Sequence, residues 1–389
     1  MKVWNDIRGV VLRELRIWMH RPIYLVGSIV TLMFCTIFCL TFFNEGIPED
    51  VPVGVVDNDN SWVSRYFIRE LDAMQLAKTV KFDNYDEAAE ELYKGNLGGI
   101  IVLPQRMSAD IQSQKQPEVH YYINSLYIIN GALAYKALLT MTNTANAAVQ
   151  REVYRKLGYP EYKLRDLIQP IAVDAHQIGN AENNYGYYLT NILLPAFLEM
   201  IVILVLSYSL GAELKYGTSR HLLDTTHGSM IDALLGKLFV YTILFTGMGM
   251  AMILILYNWA HFPIAGSLWH MFLAIIMLVL ASEGISVFII GCLPVPRLAL
   301  SISALYSVLG FSLSGFTLPT EVMPSFVQGL SAAFPIRHYY LWYCQEVFYG
   351  TGFAGWWPQL VSLSIFMFLP LFVLYRLKGA YVKQNFPTN

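Results

Sequence analysis

Two carboxylates lie inside long apolar stretches of this sequence. Glu199 belongs to the run ILLPAFLEMIVILVL, and Glu283 belongs to the run FLAIIMLVLASEGISVFII. An ionisable side chain at membrane depth is costly, so it usually faces the interior of a helix bundle or a water-filled cavity. Both residues are therefore candidates for a substrate pathway that selects cations. The alternative for each is a protonated, hydrogen-bonded acid with a structural role.

The spacings that other kinds of chemistry require are missing from the sequence. A phosphate-binding loop needs a Gly five residues before its Gly-Lys pair and a Ser or Thr after it. Around Gly236-Lys237 these two positions hold Ile231 and Leu238. No Ser/His/Asp arrangement and no zinc spacing is visible. We therefore expect a non-catalytic chain that binds neither metal nor cofactor itself.

The elements that would position these residues are membrane-spanning helices. Hydrophobic residues make up 55% of the chain and charged residues 14%, whereas a soluble domain carries about 25% charge. A spanning helix needs roughly 20 mainly apolar residues. Six stretches meet or nearly meet that requirement: residues 22–43, 188–210, 238–257, 268–290, 298–315 and 357–375.

The distribution of Lys and Arg predicts the orientation. Basic residues flank the spans on one side, in segments 1–21, 211–237 and 376–389, whereas the loop 258–267 has none. Because cytoplasmic flanks are enriched in Lys and Arg, both termini are expected in the cytoplasm. Residues 44–187, with 19 acidic and 13 basic residues, are then external, and their basic residues do not contradict this orientation because long domains translocate regardless of charge.

The segment 44–187 shows the pattern of an α/β domain. Short β-rich runs at 51–56, 78–82, 99–103 and 118–123 alternate with helical patterns at 62–74 and 85–94. One long helix is expected over 128–157. It could project and meet a partner, or it could pack on the sheet of its own domain. The predicted fold is thus a polytopic α-helical membrane protein with six transmembrane helices and an external α/β domain between spans one and two.

The first 21 residues form an amphipathic pattern. Val3, Ile7, Val11 and Leu15 recur at steps of four, and basic residues fall on another face. This pattern is typical of a helix that lies in the membrane interface. A soluble helix packed on a partner protein is the alternative.

Three groups of residues, taken together, carry a family resemblance. The first is VGVVDND at 53–59 with GGIIVLP at 98–104. The second joins Glu213, Gly217 and Thr218 to Gly236 and Lys237, within the segment 211–237. The third group is a Gly- and Pro-rich pattern. Gly315 immediately precedes the segment 316–356, and Pro319, Pro324 and Pro335 lie within it.

In this order, the motifs and spans resemble a permease of the ATP-binding-cassette type-2 exporter family, and most nearly the bacterial multidrug-type permease subunit. The resemblance implies that the segment 211–237 contacts an ATPase subunit and that 316–356 forms an external re-entrant helical element. A departure is Thr225-Thr226-His227, where the family usually has a Pro.

The resemblance also implies partners and location. ATP and Mg would bind a separate ABC ATPase subunit, and a second permease copy or a paralogue would complete a dimer. A periplasmic adaptor and an outer-membrane channel could continue the route from a bacterial inner membrane. Amphipathic or hydrophobic small molecules are the expected cargo, and nucleic acid is not expected. The competing hypotheses are a membrane-anchored surface receptor or secretion component whose external domain is the working part, and an intramembrane enzyme.

Overall fold

The structure is a computed structural model that describes residues 2–43, 46, 50–113, 115–126, 128–169 and 184–384. The chain divides into two compact units. The membrane unit consists of Met1–Gly46 and His176–Asn389, and the inserted unit of Ile47–Ala175. This division matches a membrane bundle interrupted by one insertion.

Six helices within the described residues are long and apolar enough to cross a membrane, which confirms the expected number. Spans one to six are Pro22–Phe42, Gly186–Lys215, Met230–Trp259, Leu268–Cys292, Pro296–Leu313 and Phe353–Lys383. Spans one and three contain the π-helical turns Val26–Val30 and Ile255–Trp259. Span six consists of the helices Phe353–Phe368 and Pro370–Lys383, because a proline cannot donate the hydrogen bond that would continue the first one.

Spans two and four form the centre of the bundle. In each of them 72% of the most apolar window is buried, compared with 17–33% in the other four spans. Leu198 and Leu206 of span two and Ile275 and Leu278 of span four are fully buried in one core. The two candidate acids therefore belong to the two most enclosed helices.

The segment expected as a loop over 211–237 is shorter than predicted. The helix of span two continues to Lys215, and the helix of span three begins at Met230. The charged residues near both ends had suggested a loop, but neighbouring charges inside the protein neutralise them. The segment between the helices is therefore 216–229, here called the coupling segment, and it contains the short helix α7 (Ser219–Asp224).

A helix and a set of short helical pieces complete the membrane unit. Helix α1 (Lys2–His20) precedes span one. Between spans five and six lie a 3-10 turn (Thr320–Val322), α8 (Ser325–Ser331), α9 (Pro335–Tyr343) and a π-helical turn (Cys344–Phe348). These pieces occupy the segment 316–356, in which the resemblance implied a helical element.

The inserted unit is built on a four-stranded sheet with strand order β2-β1-β3-β4. The strands are β1 (Val51–Asp57), β2 (Ala77–Phe82), β3 (Gly99–Leu103) and β4 (His120–Ile123). Strand β1 pairs in parallel with both β2 and β3, so that Val53 lies opposite Thr79 and Gly99, and β4 is antiparallel to β3. The expected α/β character is therefore present. An external location for this unit stays a prediction from the charge pattern.

Five helices accompany this sheet in the described part of the inserted unit. They are α2 (Trp62–Asp72), α3 (Tyr85–Tyr93), α4 (Met107–Gln112), α5 (Ile128–Lys156) and α6 (Glu161–Ile168). The long helix α5 packs on its own sheet: Ala134, Leu138 and Met141 are fully buried against strand residues such as Val53 and Ile101. The first half of α5 therefore packs within its own domain, which is one of the two alternatives considered for the long helix.

Candidate coupling site

Helix α1 approaches span three closely at Gly236. A Cβ atom on Gly236 would lie 2.7 Å from Cβ of Val10 and 3.0 Å from the carbonyl oxygen of Ile7. Both distances are shorter than carbon contacts in packed proteins, which are about 3.5–4.0 Å. A glycine at this position therefore permits the contact between α1 and span three.

Four charged side chains form a buried cluster beside this contact. The guanidinium of Arg13 donates two hydrogen bonds to Glu213, at 2.7 and 2.8 Å, and one to Glu14 at 2.8 Å. The ammonium of Lys237 lies 2.9 Å from Glu14 Oε1 and 3.0 Å from Glu213 Oε1. The side chains of Lys237 and Glu14 are each 1% exposed. We call these four residues the charge cluster.

The charge cluster is neutral as a whole and joins three elements. Arg13 and Glu14 belong to α1, Glu213 to span two and Lys237 to span three. Burial lowers the pKa of Arg13, but the hydrogen bond and the negative charge of Glu213 more than offset it, so the pKa lies above the ordinary value. Arg13 is thus charged at physiological pH. Buried ion pairs hold their partners in place because an unpaired charge in that environment is costly.

Gly217 and Thr218 end span two and connect it to the cluster. The backbone N–H of Thr218 donates to the carbonyl of Glu213, and that of Gly217 to Leu214, the two bonds of a Schellman motif. Gly217 has φ +68°, which glycine adopts without strain. The hydroxyl of Thr218 donates to Glu213 Oε2 at 2.6 Å. The end of the helix and the ion pairs are therefore built around one carboxylate.

The coupling segment makes further contacts with its surroundings. His227 Nδ1 lies 3.2 Å from Asp6 Oδ2 on α1. The hydroxyl of Ser219 donates to the carbonyl of Tyr381 in span six, and the hydroxyl of Tyr381 donates to the carbonyl of Leu210 in span two. Through these contacts α1, the coupling segment and spans two, three and six form one packed unit. Such a unit can transmit a rigid-body displacement.

The sequence analysis named Glu213, Gly217, Thr218, Gly236 and Lys237, and the structure brings the side chains of Glu213, Thr218 and Lys237 into direct contact. The sequence analysis did not identify the acids on α1. The row Asp6, Val10 and Glu14 is buried, whereas the apolar row that defined the predicted amphipathic face is partly turned outward. Asp6 and Glu14 each lie four residues from Val10, and residues at this spacing share one face of a helix. That spacing could have revealed a buried polar face.

Glu199 lies in span two beside the start of α9. Its carboxylate lies near the backbone N–H of Ile336, the second residue of α9. A carboxylate at a helix N-terminus satisfies a donor that has no partner within the helix. Glu199 therefore has a structural partner that the sequence did not reveal.

Glu283 lies in span four and has one hydrogen bond in the described part of the chain. The hydroxyl of Thr242 donates to Oε2 at 2.8 Å, and Oε1 is buried without a partner. No hydrogen bond joins Glu283 to Glu199 within the described residues. The two acids predicted as one pathway are therefore held by different partners.

The predicted re-entrant residues lie at the junctions of the segment between spans five and six. Gly315, with φ +92°, follows the end of span five. Pro319 and Pro324 immediately precede the 3-10 turn and α8, and Pro335 is the first residue of α9. Prolines are favoured at helix starts because the missing N–H would be unpaired there anyway. These residues divide the segment into its helical pieces.

A buried acid that sequence reasoning missed links this segment to the start of span four. Glu346 accepts hydrogen bonds from the backbone N–H of Ser267 at 2.6 Å and lies 2.8 Å from His270 Nδ1. Its side chain is 1% exposed. The residues are 76 or more positions apart in the chain, and no local pattern marks such a contact. Across the described residues no group of three or more His, Cys, Asp or Glu side chains could hold a metal ion.

The fold and this site define a class of protein: a polytopic membrane protein with an α/β insertion after its first span. The family model of the ABC-2 family transporter protein matches residues 23–376. Because that match covers most of the sequence, the chain belongs to the ABC-2 transporter family.

Two relatives carry the same name. The inner membrane transport permease YhhJ of Escherichia coli (strain K12) is 21% identical over 317 residues, which cover 80% of each chain. The same figures hold for the inner membrane transport permease YhhJ of Shigella flexneri. The family, these relatives and the six apolar helices together identify a multi-pass membrane transport permease.

Proposed function

We propose that this chain is the transmembrane permease subunit of an ATP-driven exporter that moves amphipathic or hydrophobic small molecules out of the cytoplasm or the inner leaflet. The observation that carries the proposal is the charge cluster, which binds α1 and the ends of spans two and three into one unit at the coupling segment. A displacement imposed on that segment would reach the centre of the bundle through span two. The membership of the ABC-2 family supplies the source of the displacement, an ABC ATPase.

The ATPase would dock on the outer face of the coupling segment. Tyr216, Arg220, His221 and Asp224 are exposed there, while Leu222 and Leu223 of α7 are buried against the bundle. ATP and Mg would bind the ATPase, and a second permease copy or a paralogue would complete the pathway. The inserted unit would then lie on the external side and both termini in the cytoplasm.

Co-purification tests the docking surface. Asp224→Lys reverses an exposed charge on α7 and leaves the buried contacts intact, and Asp166→Lys makes the same change in the exposed part of α6 in the inserted unit. We expect an affinity-tagged chain to retain a co-expressed ABC ATPase, Asp224→Lys to retain less of it, and Asp166→Lys to retain as much as the natural chain. If the natural chain retains no ABC ATPase, the proposal is wrong, and the result favours the hypothesis of a membrane-anchored surface receptor.

The substrate pathway is proposed around Glu283 more than around Glu199. Glu283 has a buried carboxylate oxygen without a partner among the described residues, whereas the carboxylate of Glu199 lies near the N-terminus of α9. We expect Glu283→Gln to reduce export of cationic amphipaths relative to neutral ones, measured as the change in growth inhibition of expressing cells. Equal export of both classes by Glu283→Gln and Glu199→Gln would remove the idea of cation selection.

A further inference from the structure

A groove lies between α1 and the end of span two. Its volume is about 550 Å³, within the range of small-molecule sites, which is about 300–1,000 Å³. The residues that matter for its chemistry are Arg13, Arg16, Arg21, Glu213, Tyr216 and His221. The groove shares Tyr216 and His221 with the proposed docking face, whereas Asp224 and the two acids of the proposed pathway lie outside its lining.

The lining of the groove carries an excess of positive charge. Glu213 is the lining carboxylate, and it is already bound to Arg13, Lys237 and Thr218. Among the described residues Arg16 makes no ion pair, and its side chain is exposed. The guanidinium of Arg21 stacks over the ring of Tyr216 at 4.5 Å from its centroid and has no carboxylate partner in the same described set. Two arginines are thus available to an anion in a concave site.

The position of the groove along the spans gives its depth. Arg21 immediately precedes span one, and Tyr216 immediately follows span two. Because helices that cross a bilayer begin and end near the boundary between lipid and water, we place the stacked pair at the level of the lipid headgroups, where Tyr is enriched. Leu12, which also lines the groove, is 56% exposed, and Met19 on the same helix is 78% exposed. An interfacial α1 would bury these side chains among the acyl chains next to the groove.

We infer that this groove binds the phosphate of an anionic phospholipid headgroup from the leaflet that surrounds the ends of spans one and two. Arg16 and Arg21 would bind the phosphate oxygens, because a guanidinium offers several donors in a geometry that matches phosphate. The acyl chains would follow the apolar face of α1. Basic pockets between helices on the cytoplasmic side are a known mode of recognition for anionic lipids. The lipid would thereby hold α1 against span two beside the charge cluster.

Native mass spectrometry of the purified full-length chain tests this inference. The chain in detergent is titrated with phosphatidylglycerol or with phosphatidylcholine of the same acyl chains, and the bound fraction gives an affinity for each. We expect tighter binding of phosphatidylglycerol. Each arginine that contacts the headgroup should contribute roughly a fivefold gain in affinity, so Arg16→Gln/Arg21→Gln should weaken binding of phosphatidylglycerol about tenfold or more. The matched control is Arg8→Gln, which removes an exposed charge from the same helix outside the groove, and its affinity should stay within about twofold.

Three results would overturn the inference. One is equal affinity for the anionic and the zwitterionic lipid. Another is displacement of the lipid by millimolar inorganic phosphate or glycerol 3-phosphate, which would make a soluble phosphate compound the ligand. The third is unchanged lipid selectivity in the double variant together with loss of the co-purified ATPase, which would make the groove part of the protein interface.

If Arg16→Gln/Arg21→Gln does not fold, the single variant Arg16→Gln carries the same test because Arg16 is exposed, and the expected loss of affinity is about fivefold. None of these measurements requires transport or ATP, so failure of the lipid inference and failure of the proposed function remain distinguishable.

Discussion

Replacement of Lys237 by Met tests whether the charge cluster holds α1 on the bundle. Met is nearly as long as Lys, so the change removes a charge with little loss of volume. The side chains that remain are Arg13, Glu14 and Glu213, with a net charge of −1, and the cluster is nearly inaccessible to solvent. Removing one partner of a buried pair costs about 3–5 kcal/mol. At about 2 °C for each kcal/mol, the midpoint of thermal unfolding should fall by roughly 6–10 °C.

The assay is thermal unfolding in detergent, followed by the fraction of monodisperse protein after heating. Lys378→Met, at an exposed lysine of span six, is the control, and its midpoint should change by less than about 1 °C. The double variant Lys237→Met/Glu14→Gln restores neutrality, so it should be more stable than Lys237→Met alone. The reasoning is refuted if Lys237→Met melts within about 1 °C of the natural protein, or if the double variant loses the sum of the two single losses.

Three further predictions concern glycines and a capping acid. Gly236→Ala should destabilise the protein by about 1–3 kcal/mol because the added Cβ clashes with α1. Gly247→Ala in the same helix, where the added Cβ meets open space, should be neutral or stabilising. Thermal unfolding compares the two variants, and equal effects would contradict the close approach of α1. Gly217→Ala should cost about 1–2 kcal/mol because of its positive φ, and Gly217→Asn should cost less; the reverse order would argue against the helix-ending role. Glu199→Ala should destabilise more than Glu199→Gln, which keeps an acceptor for the N–H of Ile336; identical unfolding midpoints would argue against the cap.

The number of spans and the class of the inserted domain could be predicted from local patterns. Runs of apolar residues have the length that a bilayer demands, and the strands of the inserted sheet are short β-rich runs ended by Asp57 or Pro104. These features depend on neighbours in the sequence, which is why composition and periodicity reveal them.

The contacts of the candidate site could not be predicted in the same way. Arg13 and Glu213 are 200 positions apart, and only the packing of α1 on span three brings them together. The same reason explains the error over the coupling segment: Glu213 and Lys237 looked like loop residues because the charges that neutralise them come from distant helices. The position of Glu199 beside Ile336 could not be predicted either, because α9 lies far along the chain.

ATP hydrolysis by the purified complex of this chain with its ABC ATPase tests the central claim most directly. The complex is reconstituted in lipid nanodiscs with the natural chain, with Gly217→Pro and with Gly158→Pro. Gly158 is the matched control because it ends α5 with a similar positive φ and the same two backbone hydrogen bonds, but in the inserted unit. The account predicts that Gly217→Pro lowers turnover severalfold and that Gly158→Pro leaves it unchanged. Equal turnover by all three complexes would contradict coupling through the segment 216–229.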